Sequence, residues 1–141
     1  MSDSLRALTV VASAEAERRA TAHAEACAAE QRARATLDDA IERCRMIEDA
    51  LAQAMRERGS SASDRALAEA RAAVWRERRA TARGLRAAAE RAYESARAAV
   101  ERSRESLGTA HGDRRVAETA LSRAEDAARQ VRARRAEDDG G

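Results

Sequence analysis

The 141-residue chain contains no proline, phenylalanine, lysine or asparagine, and only one tryptophan and one tyrosine. Because proline kinks or ends helices, its absence leaves no such break along the sequence. No alternating run of β-branched and aromatic residues is long enough for a strand. These absences exclude a β-sheet and a large aromatic core, and they predict an all-helical protein whose basic side chains are all arginine.

The sequence also lacks a long apolar run, and it has only two cysteines. No stretch of about 18 apolar residues occurs, so no transmembrane helix is predicted. The first residues lack a basic region followed by an apolar run, so we expect no signal peptide and a cytoplasmic protein. Cys27 and Cys44 lie about 25 Å apart on one predicted helix, too far for a disulfide. They are expected to pack as small apolar side chains.

Alanine and arginine dominate what is present. The chain holds 39 alanines, and its 27 basic residues nearly balance 25 acidic ones. This composition is typical of a coiled coil or long helix. Buried alanine removes little apolar area from water, so the core must be thin. A small net charge spread over a long helix predicts no nucleic-acid partner.

The clearest interruption is the segment from Gly59 to Asp64. We predict a single helical hairpin over residues 1–141, with one helix over about 4–58, a loop over 59–64 and a second helix over about 65–137. Gly59 can adopt the left-handed conformation that ends many helices. Ser61 and Asp64 are spaced like a capping box, and Ser63 or Asp64 are alternative caps for the second helix. The predicted fold is an antiparallel coiled-coil hairpin.

A second pair of glycines, Gly108 and Gly112, suggests an alternative architecture. Each glycine disfavours a helix by about 1 kcal/mol relative to alanine. A turn between them would produce a third, short helix. The apolar stripe runs through this segment without losing phase, which favours a continuous second helix.

Apolar stripes predict which faces pack. In the second helix one stripe extends from Ala89 to Val131, and a second phase occupies the start of the helix, with a slip near Gly84. Trp75 is expected one position off this stripe, as packing or as an exposed anchor. The members of the second phase are Leu67, Ala70, Val74, Thr81 and Leu85. The strongest stripe of the first helix consists of Leu37, Ile41, Cys44, Ile47, Leu51 and Met55.

No pattern in the sequence predicts catalysis, a cofactor or a metal site. A catalytic acid or base needs burial or dense charge to shift its pKa, and a two-helix hairpin has almost no interior. His23 and His111 are not spaced as metal ligands on one helix. We expect a protein that is not an enzyme and that works through its surface.

The C-terminal part is rich in arginine, with the run Arg123-Ala124-Glu125-Asp126-Ala127-Ala128-Arg129 followed by Arg132, Arg134 and Arg135. Together with the length and the two-helix pattern, this run resembles the FliJ and YscO-like stalk proteins of flagellar and type III secretion export. The resemblance implies a cytoplasmic stalk, peripherally associated with a membrane export apparatus. Its paired helical ends would insert into a hexameric export ATPase. Export gate and secretion chaperones would be further partners.

The resemblance also implies where partners bind on this chain. The expected contacts with the ATPase ring are Leu5, Leu8, Val11, Arg115, Val116, Arg123, Arg129, Arg132 and Arg135. The expected contacts with the export gate are Trp75, Arg76, Arg78 and Arg79. The alternative function is a structural coiled-coil scaffold that self-associates weakly through its alanine-rich middle.

Overall fold

The computed structural model describes residues 2–57 and 59–140, which form two long helices that pack against each other. Helix α1 spans Ser2–Arg56 and has 55 residues, and helix α2 spans Ala62–Gly140 and has 79. Within the described part of the chain there is no strand. The predicted all-α helical hairpin is confirmed.

The chain divides into two compact units. The terminal unit comprises the described residues of Met1–Ala26 and Val100–Gly141, and the loop unit comprises those of Cys27–Ala99. Each unit contains one stretch of α1 and one stretch of α2. The two units are described separately below.

The connection between the helices is shorter than predicted, because α2 begins at Ala62. The Ser61 hydroxyl accepts a hydrogen bond from the Asp64 backbone N–H at 3.0 Å, and the Ser61 carbonyl accepts one from the Arg65 N–H at 3.0 Å. Ser61 is therefore the N-cap, and the alternative caps Ser63 and Asp64 lie inside the first turn. Helix α1 ends at Arg56, and the predicted end at Arg58 lies outside the described residues.

Gly59 adopts the left-handed conformation expected for it, with φ at 64°. A Cβ atom added here would lie 2.5 Å from the Cβ of Asp64. Both the backbone conformation and the space therefore require glycine at this turn.

We expect Gly59→Ala to lower the free energy of unfolding by about 2 kcal/mol, because it combines left-handed strain with a clash. Gly84→Ala is the matched control, since Gly84 is helical with no atom within 4 Å of an added Cβ. That variant should gain up to about 1 kcal/mol from helix propensity. Urea denaturation followed by circular dichroism measures both, and equal effects of the two substitutions would contradict the proposed role of the turn.

Helix α2 is continuous through Gly108 and Gly112, so the three-helix alternative is wrong. Leu107, Ala110 and Arg114 around these glycines are buried or half-buried. An added Cβ at either glycine would meet no atom within 4 Å. The local cost of two glycines is thus offset by packing that continues on both sides of them.

Each helix buries one stripe with alternating steps of three and four residues, which we call the seam. Arg86 is the one exposed step in α2. The seam of α1 consists of Ser2, Leu5, Thr9, Ala12, Ala16, Arg19, His23, Ala26, Glu30, Ala33, Leu37, Ala40, Cys44, Ile47, Leu51 and Ala54. The seam of α2 consists of Ala68, Ala72, Trp75, Arg79, Ala82, Ala89, Tyr93, Ala96, Val100, Ser103, Leu107, Ala110, Arg114, Ala117, Leu121, Ala124 and Ala128.

The predicted second phase at the start of α2 is wrong. All five of its members are exposed, and alanines at neighbouring positions are buried instead. No slip occurs near Gly84, because the seam keeps one phase from Ala68 to Ala128. Trp75 belongs to this seam, so its predicted place one position off is wrong as well. Small alanines let two helices approach closely, whereas the larger side chains of the predicted phase project to one side.

The predicted stripe of α1 is correct in part. Leu37, Cys44, Ile47 and Leu51 lie in the seam, whereas Ile41 and Met55 are exposed. Eight of the eleven buried apolar residues in the described part of the chain are alanine; the larger three are Cys44, Leu51 and Val100. The core is thin, as the composition predicts, so the stability of the fold depends on few large side chains.

Candidate partner-binding surfaces

Heptad positions define the sides of the hairpin. We label the seam positions a and d, with His23 at a in α1 and Ser103 at d in α2. Positions e flank the seam on one side and positions g on the other. In the terminal unit Arg6 at e lies 3.6 Å from Glu125 at e, and in the loop unit Glu48 at e lies 2.8 Å from Arg83 at e.

Because e positions meet e positions in each unit, the g positions of the two helices meet on the opposite side. Positions c lie next to positions g around each helix, at 100° per residue. We call the side that carries positions g and c the g face. The side that carries positions e and b is the e face.

Polar side chains cross the seam of the terminal unit. Ser103 donates a hydrogen bond to the Val100 carbonyl at 2.9 Å, so the Ser103 oxygen accepts the 2.7 Å bond from Nδ1 of His23. Arg19 Nη1 donates to both the carbonyl and the hydroxyl of Ser106 at 3.1 Å. These side chain contacts join positions far apart in sequence, and they favour one register of the two helices over others.

Glu15 anchors this polar group from the same helix. Its carboxylate accepts hydrogen bonds from Arg19 and Arg18. The bond from Arg19, followed by the bond and the positive charge of Arg18, lowers the pKa of Glu15 below its ordinary value. These contacts hold the Arg19 guanidinium toward Ser106, so His23, Arg19 and Glu15 have a structural role and form no catalytic arrangement.

The last turns of α2 extend beyond the seam. Ala128 is the last half-buried residue, and residues 129–140 are all exposed although they remain helical. Arg129 pairs with Asp126. Among the described residues no carboxylate lies within ion-pair distance of Arg132, Arg134 or Arg135. This end of α2 therefore presents cations on a helix that has no helical neighbour.

Apolar side chains are exposed in the terminal unit next to these arginines. Of the predicted ring contacts, Leu5 is half-buried in the seam, but Leu8 and Val11 are 60% and 64% exposed. Val116 on α2 is 71% exposed. Leu8 at g, Val11 at c and Val116 at c share the g face, so three apolar side chains gather on one side of the unit.

The predicted ring contacts on α2 lie along a shallow depression. Arg115, Val116 and Arg123 line it together with Thr119 and Ala120. Its walls come from one helix, so it can contact a partner surface but cannot enclose a small molecule. The predicted set is brought together except for Leu5, which packs inward, and Arg129, which is paired.

The predicted gate contacts are mostly occupied within the loop unit. Arg79 lies 3.8 Å from Glu48, and Arg76 lies 3.6 Å from Glu69. Trp75 is half-buried in the seam, with the Arg78 guanidinium 4.7 Å from the centre of its ring. Arg78 is the member of this set that stays exposed with no ion pair among the described residues.

A groove on the g face of the loop unit was not predicted from the sequence. Its volume is about 590 Å³, and its lining includes Ile47, Val74, Trp75, Thr81 and Leu85. The signal was present in the sequence as the second apolar phase of α2. That phase is real, but it lines a surface groove instead of the seam.

The described residues contain no group of three or more histidine, cysteine or acidic side chains placed to hold a metal ion. Neither described helix includes a segment that is long and apolar enough to span a membrane. The surfaces found are helical, exposed and rich in arginine and aliphatic side chains, a combination suited to binding other proteins.

No protein-family model, curated protein or solved structure matches this chain.

Proposed function

We propose that the protein is the central stalk of a type III secretion export ATPase complex. In this proposal the terminal unit inserts its paired helical ends into the hexameric ATPase ring. The chain has no bond chemistry of its own and acts as a mechanical coupler at the cytoplasmic side of the export apparatus. The proposal rests on the sequence resemblance and on surfaces of the terminal unit that have no helical neighbour.

The observation that carries the proposal is the exposed end of α2. Residues 129–140 continue as a helix after the seam has ended, and Arg132, Arg134 and Arg135 have no ion pair among the described residues. A single helix with free guanidinium groups is narrow enough to enter a central hole. Its arginines can make bidentate contacts with carboxylates that line such a hole.

The apolar residues of the terminal unit support the same orientation. Leu8, Val11 and Val116 share the g face and remain largely exposed. Scattered exposed apolar side chains are ordinary, but three on one side beside an arginine-rich end form a surface suited to a protein partner. Contact of Trp75, Arg76, Arg78 and Arg79 with an export gate protein stays a prediction.

The test is binding of the intact chain to the purified export ATPase of the organism that encodes it. Deleting residues 123–141 was the obvious truncation, but it also removes Ala124, Ala128 and the Arg6–Glu125 ion pair. Deleting residues 130–141 keeps the whole seam and removes the exposed end alone. We expect this shorter chain to lose ATPase binding while keeping its helical content per residue.

Point variants separate charge from length. Arg132→Glu with Arg135→Glu in the full chain should weaken binding by at least about tenfold, because two cations facing carboxylates become repulsive. Arg91→Glu is the matched control, since Arg91 is exposed and has no ion pair among the described residues. ATPase binding that survives the deletion, or that falls equally with Arg91→Glu, would contradict insertion of this end.

A further inference from the structure

The loop unit carries a second apolar stripe that no part of the described chain covers. Val74 is 46% exposed and Leu85 is 51% exposed, and Thr81 lies between them on the g face of α2. On α1, Met46 at position c is 63% exposed on the same face. Both helices of the hairpin thus contribute apolar side chains to one side.

These residues border a continuous groove between the two helices. Its first part is lined by Arg43 and Ile47 of α1 and by Val74, Trp75, Glu77, Arg78, Thr81, Ala82 and Leu85 of α2. Its second part is lined by Thr36, Asp39, Ala40, Arg43, Ala82, Leu85 and Ala89. The two parts share Arg43, Ala82 and Leu85. From Val74 to Ala89 the groove follows about four turns of α2, or roughly 22 Å.

The distribution of side-chain sizes distinguishes two kinds of packing. In a two-stranded coiled coil the largest apolar residues occupy positions a and d. Here α2 places alanine at Ala68, Ala72, Ala82 and Ala89 in the seam and larger side chains beside it. A helix with a seam and an adjoining apolar flank is typical of a bundle, in which each helix packs against two neighbours.

The charges around the groove favour a second copy of this chain as the occupant. The lining contains two cations, Arg43 and Arg78, and two anions, Asp39 and Glu77, so its formal charge is zero. A strongly acidic or basic partner helix would gain no net attraction from it. Each wall carries one arginine and one acid, so α1 of one copy can face α2 of another with every arginine near a carboxylate.

We propose that two copies of the chain pack the g faces of their loop units together to form an antiparallel four-helix bundle. A two-fold axis along the groove places α1 of each copy on α2 of the other, so every neighbouring pair of helices is antiparallel. Met46 of one copy then fills the space beside Val74 and Thr81 of the other. This interface differs from the alanine-rich middle and from the terminal unit that the proposed ATPase contact uses.

Sedimentation equilibrium of the full chain tests the proposal. The chain mass is 15.3 kDa, and we expect a species of about 31 kDa to form as the concentration rises through the micromolar range, as for a small interface. The variant Val74→Glu with Leu85→Glu should shift the midpoint concentration upward by at least about tenfold. Both side chains are exposed in the single chain, so helical content measured by circular dichroism should not change.

Val10→Glu is the matched control. Val10 is 68% exposed, but it lies in the terminal unit at position b, on the e face. This variant should sediment like the original chain. As a second variant, Met46→Glu probes the α1 wall of the groove and should also weaken the dimer if both helices contribute.

Three outcomes would overturn the proposal. A chain that remains at 15.3 kDa up to about 300 µM would show that no second copy occupies the groove. A dimer unchanged by Val74→Glu with Leu85→Glu would place self-association elsewhere, as would a dimer equally weakened by Val10→Glu. None of these outcomes depends on an ATPase, so the dimer and the stalk function can fail separately.

Discussion

Replacing Ala16 with leucine should lower the free energy of unfolding by about 1–3 kcal/mol, although leucine is more hydrophobic and a better residue for most cores. Ala16 is 1% exposed, and Ala110 is 2% exposed. Counting one heptad from His23 and Ser103 in each helix places these two alanines in one layer of the seam. The helices are therefore too close there for a larger side chain.

The control for this substitution is Ala20→Leu. Ala20 lies one turn away on α1 and is exposed, so leucine can extend into solvent there. Its effect should stay within about 0.5 kcal/mol. Urea denaturation at neutral pH measures both, and an Ala16→Leu variant as stable as the original would show that the helices do not approach closely in this layer.

The second large effect is expected at Leu51. It is 4% exposed and is the largest of the buried aliphatic side chains in the loop unit. The register set by the Glu48–Arg83 pair places it in the layer of Trp75, where few other large groups exclude water. Leu51→Ala should lower the free energy of unfolding by about 2 kcal/mol or more.

Leu8→Ala is the matched control, because Leu8 is 60% exposed and its truncation leaves no cavity. Its cost should be a few tenths of a kcal/mol. The comparison uses the same chemical change at both sites, so the difference reports burial alone. Equal losses at Leu51 and Leu8 would mean that the seam does not supply the main stability of the loop unit.

Fold class could be predicted because it depends on local properties. A chain without proline, with abundant alanine and with one compact turn signal has few alternatives to two helices. The left-handed Gly59 and the capping role of Ser61 follow from the same local chemistry. The stripe from Ala89 to Ala128 was also correct, since apolar spacing alone defines it.

The start of α2 was assigned to the wrong face because size misled the prediction. Leu67, Val74 and Leu85 are the large apolar residues there, and a rule that buries the largest side chains selects them. The seam contains Ala68 and Ala82 instead. Spacing is similar for both stripes, so only the approach of α1 decides which of them is covered.

The candidate surfaces divide in the same way. That arginines cluster near the end of the chain is visible in the sequence. Whether they are free is not, because pairing of Arg129 with Asp126 and of Arg79 with Glu48 depends on side-chain positions in the folded protein.

The sequence by itself determined that this protein is a pair of long helices joined at Gly59 to Ser61, because helix formation, capping and turning depend on residues within a few positions. Only the tertiary structure decided which side of each helix is buried. That choice depends on how closely two helices can approach, and close approach favours alanine over leucine. The result leaves Val74 and Leu85 on the surface of the loop unit, where they form the groove.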